Sequence, residues 1–146
     1  MIQNINHLKR EEISKIISVA SDDVGIFEGT FLQNVHFADK SASLASVKKA
    51  IKQAGLQPFL SKYPQGASTK INEKSISEGE KQLIAFARVI LKNTPIVIFD
   101  EFDRDLSPTL KKRFFKKLTK FTEDKTLIYI THAHIADLPF TKKVRF

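Results

Sequence analysis

The chain has 146 residues, 42% of them hydrophobic, which is enough for one globular domain with a buried core. It contains no cysteine, so disulfides and thiolate metal sites are excluded, and no apolar run approaches the roughly 20 residues of a membrane-spanning helix. The formal net charge of +8 is compatible with binding to nucleic acid or to an acidic membrane surface, but it also occurs in proteins where it serves only solubility.

Short hydrophobic patterns separated by turn residues divide the first half of the chain. The predicted elements are, in order, a short helix or turn at 5–14, a strand at Lys15 to Ala20, a short helix after the turn and cap at Gly29 and Thr30, a helix at Ser43 to Ala54 ended by Gly55, a short helix at Leu56 to Lys62 and a polar loop at 64–75.

A longer helix is predicted to begin at Ser77. Ser77 and Glu80 match the S-x-x-E capping box, in which each side chain pairs with a backbone N–H of the first helical turn. Apolar residues then recur at helical spacing until Asn93 and Pro95 end the helix.

Two buried parallel strands are predicted in the second half of the chain. The apolar run Ile96 to Phe99 is followed directly by Asp100 and Glu101, and the run Thr126 to Thr131 by His132. Strands that alternate with helices pair in parallel through right-handed crossovers. Since ligands gather at the carboxyl ends of such strands, the two adjacent acids mark a candidate site.

An amphipathic helix is predicted between these strands. Ser107 supplies its cap and Pro108 its first-turn proline. We expect its charged side to be a solvated face, and that side carries Lys111, Lys112, Arg113, Lys116, Lys117 and Lys120.

Taken in chain order, the helix start at Ser77, the strand followed by Asp100 and Glu101, and the strand followed by His132 resemble the nucleotide-binding domain of exporter-type ATP-binding-cassette (ABC) transporters. Several motifs in the right order and at the right spacing are a strong signal, whereas one alone would be weak. The similar stretches are SDDVGIFEGTFLQNVHFA at 21–38 (after the Q-loop), AGLQPFLSKYPQGASTKINEKS at 54–75, ISEGE at 76–80 (the signature usually written LSGGQ), IVIFDE at 96–101 (Walker B and the catalytic glutamate), DRDLS at 103–107 (D-loop) and IYITH at 128–132 (switch histidine).

The resemblance implies an α/β fold, a partial RecA-like P-loop NTPase core with about three parallel strands and flanking helices. It assigns residues 30–92 to the ABC helical subdomain and signature helix. Residues 15–20 and 95–146 then form the remainder of the catalytic core.

The resemblance also implies ATP and Mg²⁺ as cofactors. Asp100 would hold the metal ion through water, as a hard oxygen ligand, and Glu101 would orient or deprotonate the water that attacks the γ-phosphate. His132 would contact that phosphate and sense its loss. We therefore expect Glu101 and His132 to be catalytic and Asp100 to be the metal residue.

A second set of residues would contact nucleotide by the same resemblance. Ser77, Glu78, Gly79 and Glu80 lie at a helix N-terminus, where unpaired N–H groups favour an anion, and this surface would grip ATP bound to a second nucleotide-binding domain. Asp22 stands at the Q-loop position.

Several positions depart from the family pattern. Asp22 replaces a glutamine and would repel a triphosphate unless a metal intervenes, and Glu78 adds bulk and charge in place of a glycine. Glu80 replaces a glutamine, and Ser107 replaces the D-loop aspartate.

The phosphate-cradling motif G-x-x-x-x-G-K-[ST] does not occur in these 146 residues, and the family places it upstream of the first of them. We therefore expect no activity from the chain alone. The strand that accompanies this loop would lie beside the His132 strand, and we expect 144–146 or another chain to fill its place.

Three functions remain open from the sequence. The first is the C-terminal part of an exporter ATPase from a truncated, frameshifted or split gene, soluble and cytoplasmic, reaching the inner face of the membrane through a transmembrane partner domain. The second is a regulatory module that docks on an intact ABC ATPase. The third is a fragment of a DNA-repair ATPase, although no nucleic acid partner is expected, because charge alone is a weak indicator.

Overall fold

The computed structural model describes residues 5–132, so the expectation for 144–146 lies outside the described residues. The helices are α1 (Arg10–Ile16), α2 (Phe31–His36), α3 (Leu44–Ala54), α4 (Gln57–Leu60), α5 (Glu78–Lys92) and α6 (Pro108–Phe121). The strands are β1 (Ile17–Ser21), β2 (Gly29–Thr30), β3 (Lys70–Ile71), β4 (Ile96–Asp100) and β5 (Thr126–Ile130).

The three longer strands form one parallel sheet in the order β1-β4-β5. Ser21, Asp100 and Ile130 stand side by side in its last row, so all three strands end together. The predicted parallel α/β core of three strands is thus confirmed.

One face of the sheet is buried by an aromatic core. Phe99 of β4 is fully buried and lies 5.9 Å from the ring of Phe86 on α5 and 5.7 Å from that of Phe114 on α6. Phe102, just beyond β4, lies 5.0 Å from Phe99, and Tyr129 of β5 stacks at 6.0 Å. Edge-on and offset contacts of this kind each contribute about 0.5–1.5 kcal/mol beyond burial. Phenylalanine therefore fills the core beneath the strand ends.

The opposite face of the sheet is apolar and open. Val19 of β1 is 63% exposed, and Ile128 and Ile130 of β5 are 45% and 48% exposed. Parallel sheets are normally covered on both faces, and no helix among residues 5–132 covers this one. An apolar surface of this kind commonly marks a contact with further polypeptide.

The helix ends follow the sequence signals. Ser77 accepts a hydrogen bond from the backbone of Glu80 at 3.3 Å, and Glu80 accepts one from the backbone of Ser77 at 2.9 Å, as the capping box predicts. Asn93 ends α5 in the left-handed conformation (φ 50°). Gly55 ends α3 at φ 91°, a conformation that glycine adopts without strain.

The structure differs from the predicted elements at three places in the first half of the chain. Lys15 and the residue after it belong to α1, whose start is capped by the Glu12 carboxylate bonding to the backbone N–H of Lys9, so the strand begins at Ile17 rather than Lys15. The helix predicted at 56–62 is limited to Gln57–Leu60. The loop predicted at 64–75 contains β3, which pairs antiparallel with β2. A strand of two residues is too short to show a periodic pattern.

Candidate functional site

The ends of the three parallel strands bring together four of the predicted site residues. Asp22 follows β1, Asp100 ends β4, Glu101 follows it, and His132 follows β5 by one intervening residue. The backbone N–H of Glu101 donates to the carbonyl of Ile130 at 2.9 Å, so the β4–β5 pairing continues one residue past the strand. The carboxyl edge of the sheet therefore carries three acids and a histidine.

Glu101 is held next to His132. Its Oε1 accepts a hydrogen bond from the backbone N–H of His132 at 3.0 Å and lies 3.6 Å from the ring Nε2. The His132 side chain is 97% exposed, so its ring is open to a ligand, whereas Glu101 is 24% exposed. Glu101 also has φ 50°, a left-handed conformation that costs a non-glycine residue roughly 1–2 kcal/mol. Strain of this kind is concentrated at functional sites.

Asp100 is exposed at the last position of β4. Carboxylate oxygen is the donor that Mg²⁺ prefers, so this residue fits the metal ion of a magnesium nucleotide. Within residues 5–132 no group of three or more acidic, histidine or cysteine side chains is arranged to hold a metal. A magnesium ion at Asp100 would thus take its other ligands from phosphate and water, as is usual for this ion.

Asp22 is paired with a cation. Its Oδ2 lies 2.8 Å from Nη2 of Arg104, and the two side chains are 29% and 61% exposed. The charge that an acid brings to this position is therefore offset within the chain.

The signature residues form a separate group at the start of α5. The Glu80 carboxylate is buried, 6% exposed, and it accepts hydrogen bonds from the Ser77 backbone, the Ser77 hydroxyl and the Tyr63 hydroxyl. Burial and this hydrogen bond to Glu80 raise the pKa of Tyr63. Glu80 thus caps the helix from inside the fold, while Ser77 remains exposed.

Glu78 and Gly79 complete this group. Glu78 is exposed and lies 2.8 Å from the ammonium of Lys81, which also contacts Glu73 at 2.9 Å. Hydrogen bonds to Glu78 and then Glu73 raise the pKa of Lys81. A Cβ on Gly79 would lie 2.9 Å from the Leu110 side chain, so glycine here allows α5 to approach α6. The hydrogen bonds and ion pairs of Ser77, Glu78 and Glu80 join them to neighbours of the helix start, not to the strand-end residues.

A buried cluster beneath the strand ends was not anticipated from the sequence. Asp103 is 1% exposed, accepts a hydrogen bond from the Tyr129 hydroxyl at 2.8 Å and forms an ion pair with Lys111. It thereby ties the loop after Glu101 to both β5 and α6. The available signal was a tyrosine on the core-facing side of a strand, since its hydroxyl needs a buried partner.

This cluster predicts a loss of stability at alkaline pH. Burial, and then the hydrogen bond to Asp103, raise the pKa of Tyr129 well above its usual range. Above about pH 10 the unfolded chain releases the phenolic proton while the folded chain keeps it, so the free energy of unfolding should fall, by at most about 1.4 kcal/mol per pH unit for this group. Urea unfolding between about pH 9 and 11 should show a shallower decline for Tyr129→Phe than for the wild type. Equal declines would contradict the assignment.

Comparisons with known proteins agree with this fold. The family model described as ABC transporter matches residues 2–103. The chain is 35% identical over 134 residues to the iron-sulfur clusters transporter ATM1, mitochondrial, of Kluyveromyces lactis, covering 89% of this chain and 19% of that protein. It is 31% identical over 141 residues to the glutathione/L-cysteine transport system ATP-binding/permease protein CydD of Bacillus subtilis, covering 95% of this chain and 24% of that protein.

A solved structure shows the same likeness. The structure of a bacterial Atm1-family ABC exporter with ATP bound superposes with a TM-score of 0.83 at 30% identity, covering 90% of this chain and 23% of that one. An α/β domain with acids at its strand ends is what the fold and site define, and the chain belongs to the ABC transporter family. It spans less than a quarter of the length of these relatives. No helix of residues 5–132 is long and apolar enough to cross a bilayer.

Proposed function

We propose that this chain forms the metal-binding and water-activating part of an ABC exporter ATPase domain. The observation that carries the proposal is the meeting of Asp100, Glu101 and His132 at the ends of adjacent parallel strands, with Glu101 bonded to the backbone of His132. A solved structure described as an ABC exporter and a relative described as an ATP-binding/permease protein support the family context.

Each of these residues has a distinct role in the proposal. Magnesium ATP supplies the phosphoryl group and the charge that polarises it. Asp100 binds the metal with a carboxylate oxygen, and Glu101 orients a water molecule and accepts its proton. The ring of His132, exposed beside Glu101, donates a hydrogen bond to the terminal phosphate.

The remaining parts of the ATP site lie outside these residues in this proposal. The sequence contains no phosphate-cradling G-x-x-x-x-G-K-[ST] motif, so a complete ATP site would need that loop from other polypeptide. The exposed Ser77 and the α5 N-terminus contact ATP held by a second nucleotide-binding domain. A membrane-spanning domain, as partner, places the assembly at the inner face of a membrane.

Binding of manganese ATP to the chain tests this proposal. Mn²⁺ replaces Mg²⁺ and broadens the NMR signals of nearby nuclei, so even weak binding is detected. We expect the backbone amide signals of Asp22, Glu101 and His132 to broaden together, because one ion at Asp100 is close to all three strand ends. The control variant is Asp124→Asn, which changes an exposed acid beyond α6.

The two variants should differ clearly. Asp100→Asn should abolish the shared broadening, whereas Asp124→Asn should leave it as in the wild type. Broadening that survives Asp100→Asn, or that spreads over unrelated acids instead, would contradict the proposed metal site.

A further inference from the structure

Arg104 places a permanent positive charge among the acids at the strand ends. Its backbone N–H donates to the carbonyl of Glu101 at 3.2 Å, so it lies in the turn that Glu101 begins. Its guanidinium reaches back to Asp22 at 2.8 Å, beyond the end of β1, and its Nε lies 3.8 Å from Asp105.

The position of this ion pair places the guanidinium close to the proposed nucleotide site. Ser21, the residue before Asp22, pairs in register with Asp100. Neighbouring strands are about 4.8 Å apart. The Arg104–Asp22 pair therefore spans the ends of the two strands beside the residue that would bind the metal.

The pair is weakly held. Arg104 is 61% exposed and Asp22 is 29% exposed, and ion pairs with this much solvent access contribute little to stability. A guanidinium matches phosphate oxygens as well as carboxylate oxygens and can donate two parallel hydrogen bonds to either. A phosphate group arriving at this edge can thus compete with Asp22 for Arg104.

We propose that Arg104 is a phosphate-binding residue of this site, which exchanges Asp22 for a phosphate oxygen when the magnesium nucleotide binds. The inference rests on the proposed function. This role of Arg104 also explains the acid at position 22. In the absence of ligand, Asp22 holds the guanidinium at the carboxyl edge of the sheet, and the guanidinium offsets the charge of Asp22.

The test uses magnesium tripolyphosphate, which carries the phosphate chemistry of the nucleotide without its base. Its dissociation constant for the whole chain is measured by titration of NMR chemical shifts, including the Arg104 side-chain Nε–H signal. We expect Arg104→Gln to weaken binding by about tenfold or more, the scale of a charge-assisted hydrogen bond. The matched control is Arg113→Gln, which removes the same charge from the exposed side of α6 and should change binding by less than about twofold.

Asp22→Asn separates ligand exchange from a purely structural tie. If Asp22 competes with phosphate for Arg104, its removal frees the guanidinium and should tighten binding severalfold. If the ion pair serves only to hold together the segments that follow β1 and β4, Asp22→Asn and Arg104→Gln should weaken binding to the same extent. Urea unfolding of each variant confirms that the fold is retained.

Each other outcome is also decisive. Binding by the wild type that Arg104→Gln leaves unchanged would overturn the role of Arg104 and leave the proposed function standing. Equal losses in Arg104→Gln and Arg113→Gln would reduce the effect to net charge and overturn the inference. If the wild type shows no binding at all, both the inference and the proposed phosphate site are wrong.

Discussion

Asp103→Ala is expected to lower the free energy of unfolding by about 2–3 kcal/mol, the scale of removing the shared partner of a hydroxyl and an ammonium group that are both partly buried. The carboxylate is 1% exposed and serves both the Lys111 ammonium and the Tyr129 hydroxyl. The substitution leaves the Tyr129 hydroxyl without its acceptor and the Lys111 ammonium, whose side chain is 31% exposed, without its ion-pair partner.

Asp105→Ala is the matched control for this measurement. Asp105 lies two residues away in the same turn, is exposed, and makes only a 3.8 Å contact with Arg104. Its replacement should cost less than about 1 kcal/mol, as for exposed ion pairs in general. The two variants are compared by urea unfolding at neutral pH. A loss for Asp103→Ala no larger than that for Asp105→Ala would show that the buried cluster does not hold the loop.

Local signals in the sequence were sufficient for much of the fold. The capping box at Ser77 and Glu80 determines where α5 begins, and Gly55 determines where α3 ends, because both act within one or two helical turns. The two apolar runs predicted β4 and β5. The parallel pairing of these strands brings Glu101 next to His132. The family membership was predicted from the order of these motifs.

Pairs formed between distant segments could not be predicted in the same way. The Tyr129–Asp103 hydrogen bond joins residues 26 positions apart, and the Arg104–Asp22 pair joins the ends of two different strands. Both join segments that lie far apart in the sequence, and a local pattern does not specify which side chains of such segments will meet. The capping box likewise did not predict that the Glu80 carboxylate is buried. It also accepts a hydrogen bond from the hydroxyl of Tyr63, 17 positions away.

The second large effect concerns the chemistry of the strand ends. In a transporter of the Atm1 family whose matched segment is replaced by this chain, Glu101→Gln should lower the rate of magnesium-dependent ATP hydrolysis by about 10²–10⁴-fold, the usual contribution of a general base. Glutamine keeps the size of the side chain and a carbonyl oxygen for the backbone N–H of His132, but it cannot accept a proton from water. ATP binding should be retained.

ATP hydrolysis by this hybrid transporter is the direct test of the proposed role of Glu101. The control is Glu123→Gln, because Glu123 is an exposed acid beyond α6. We predict hydrolysis by the unmodified hybrid and a rate within about twofold of it for Glu123→Gln, since surface substitutions away from a site have small effects. For Glu101→Gln we predict a loss of hydrolysis but not of ATP binding. Hydrolysis that Glu101→Gln leaves undiminished would contradict the claim that the strand ends of this chain activate the attacking water.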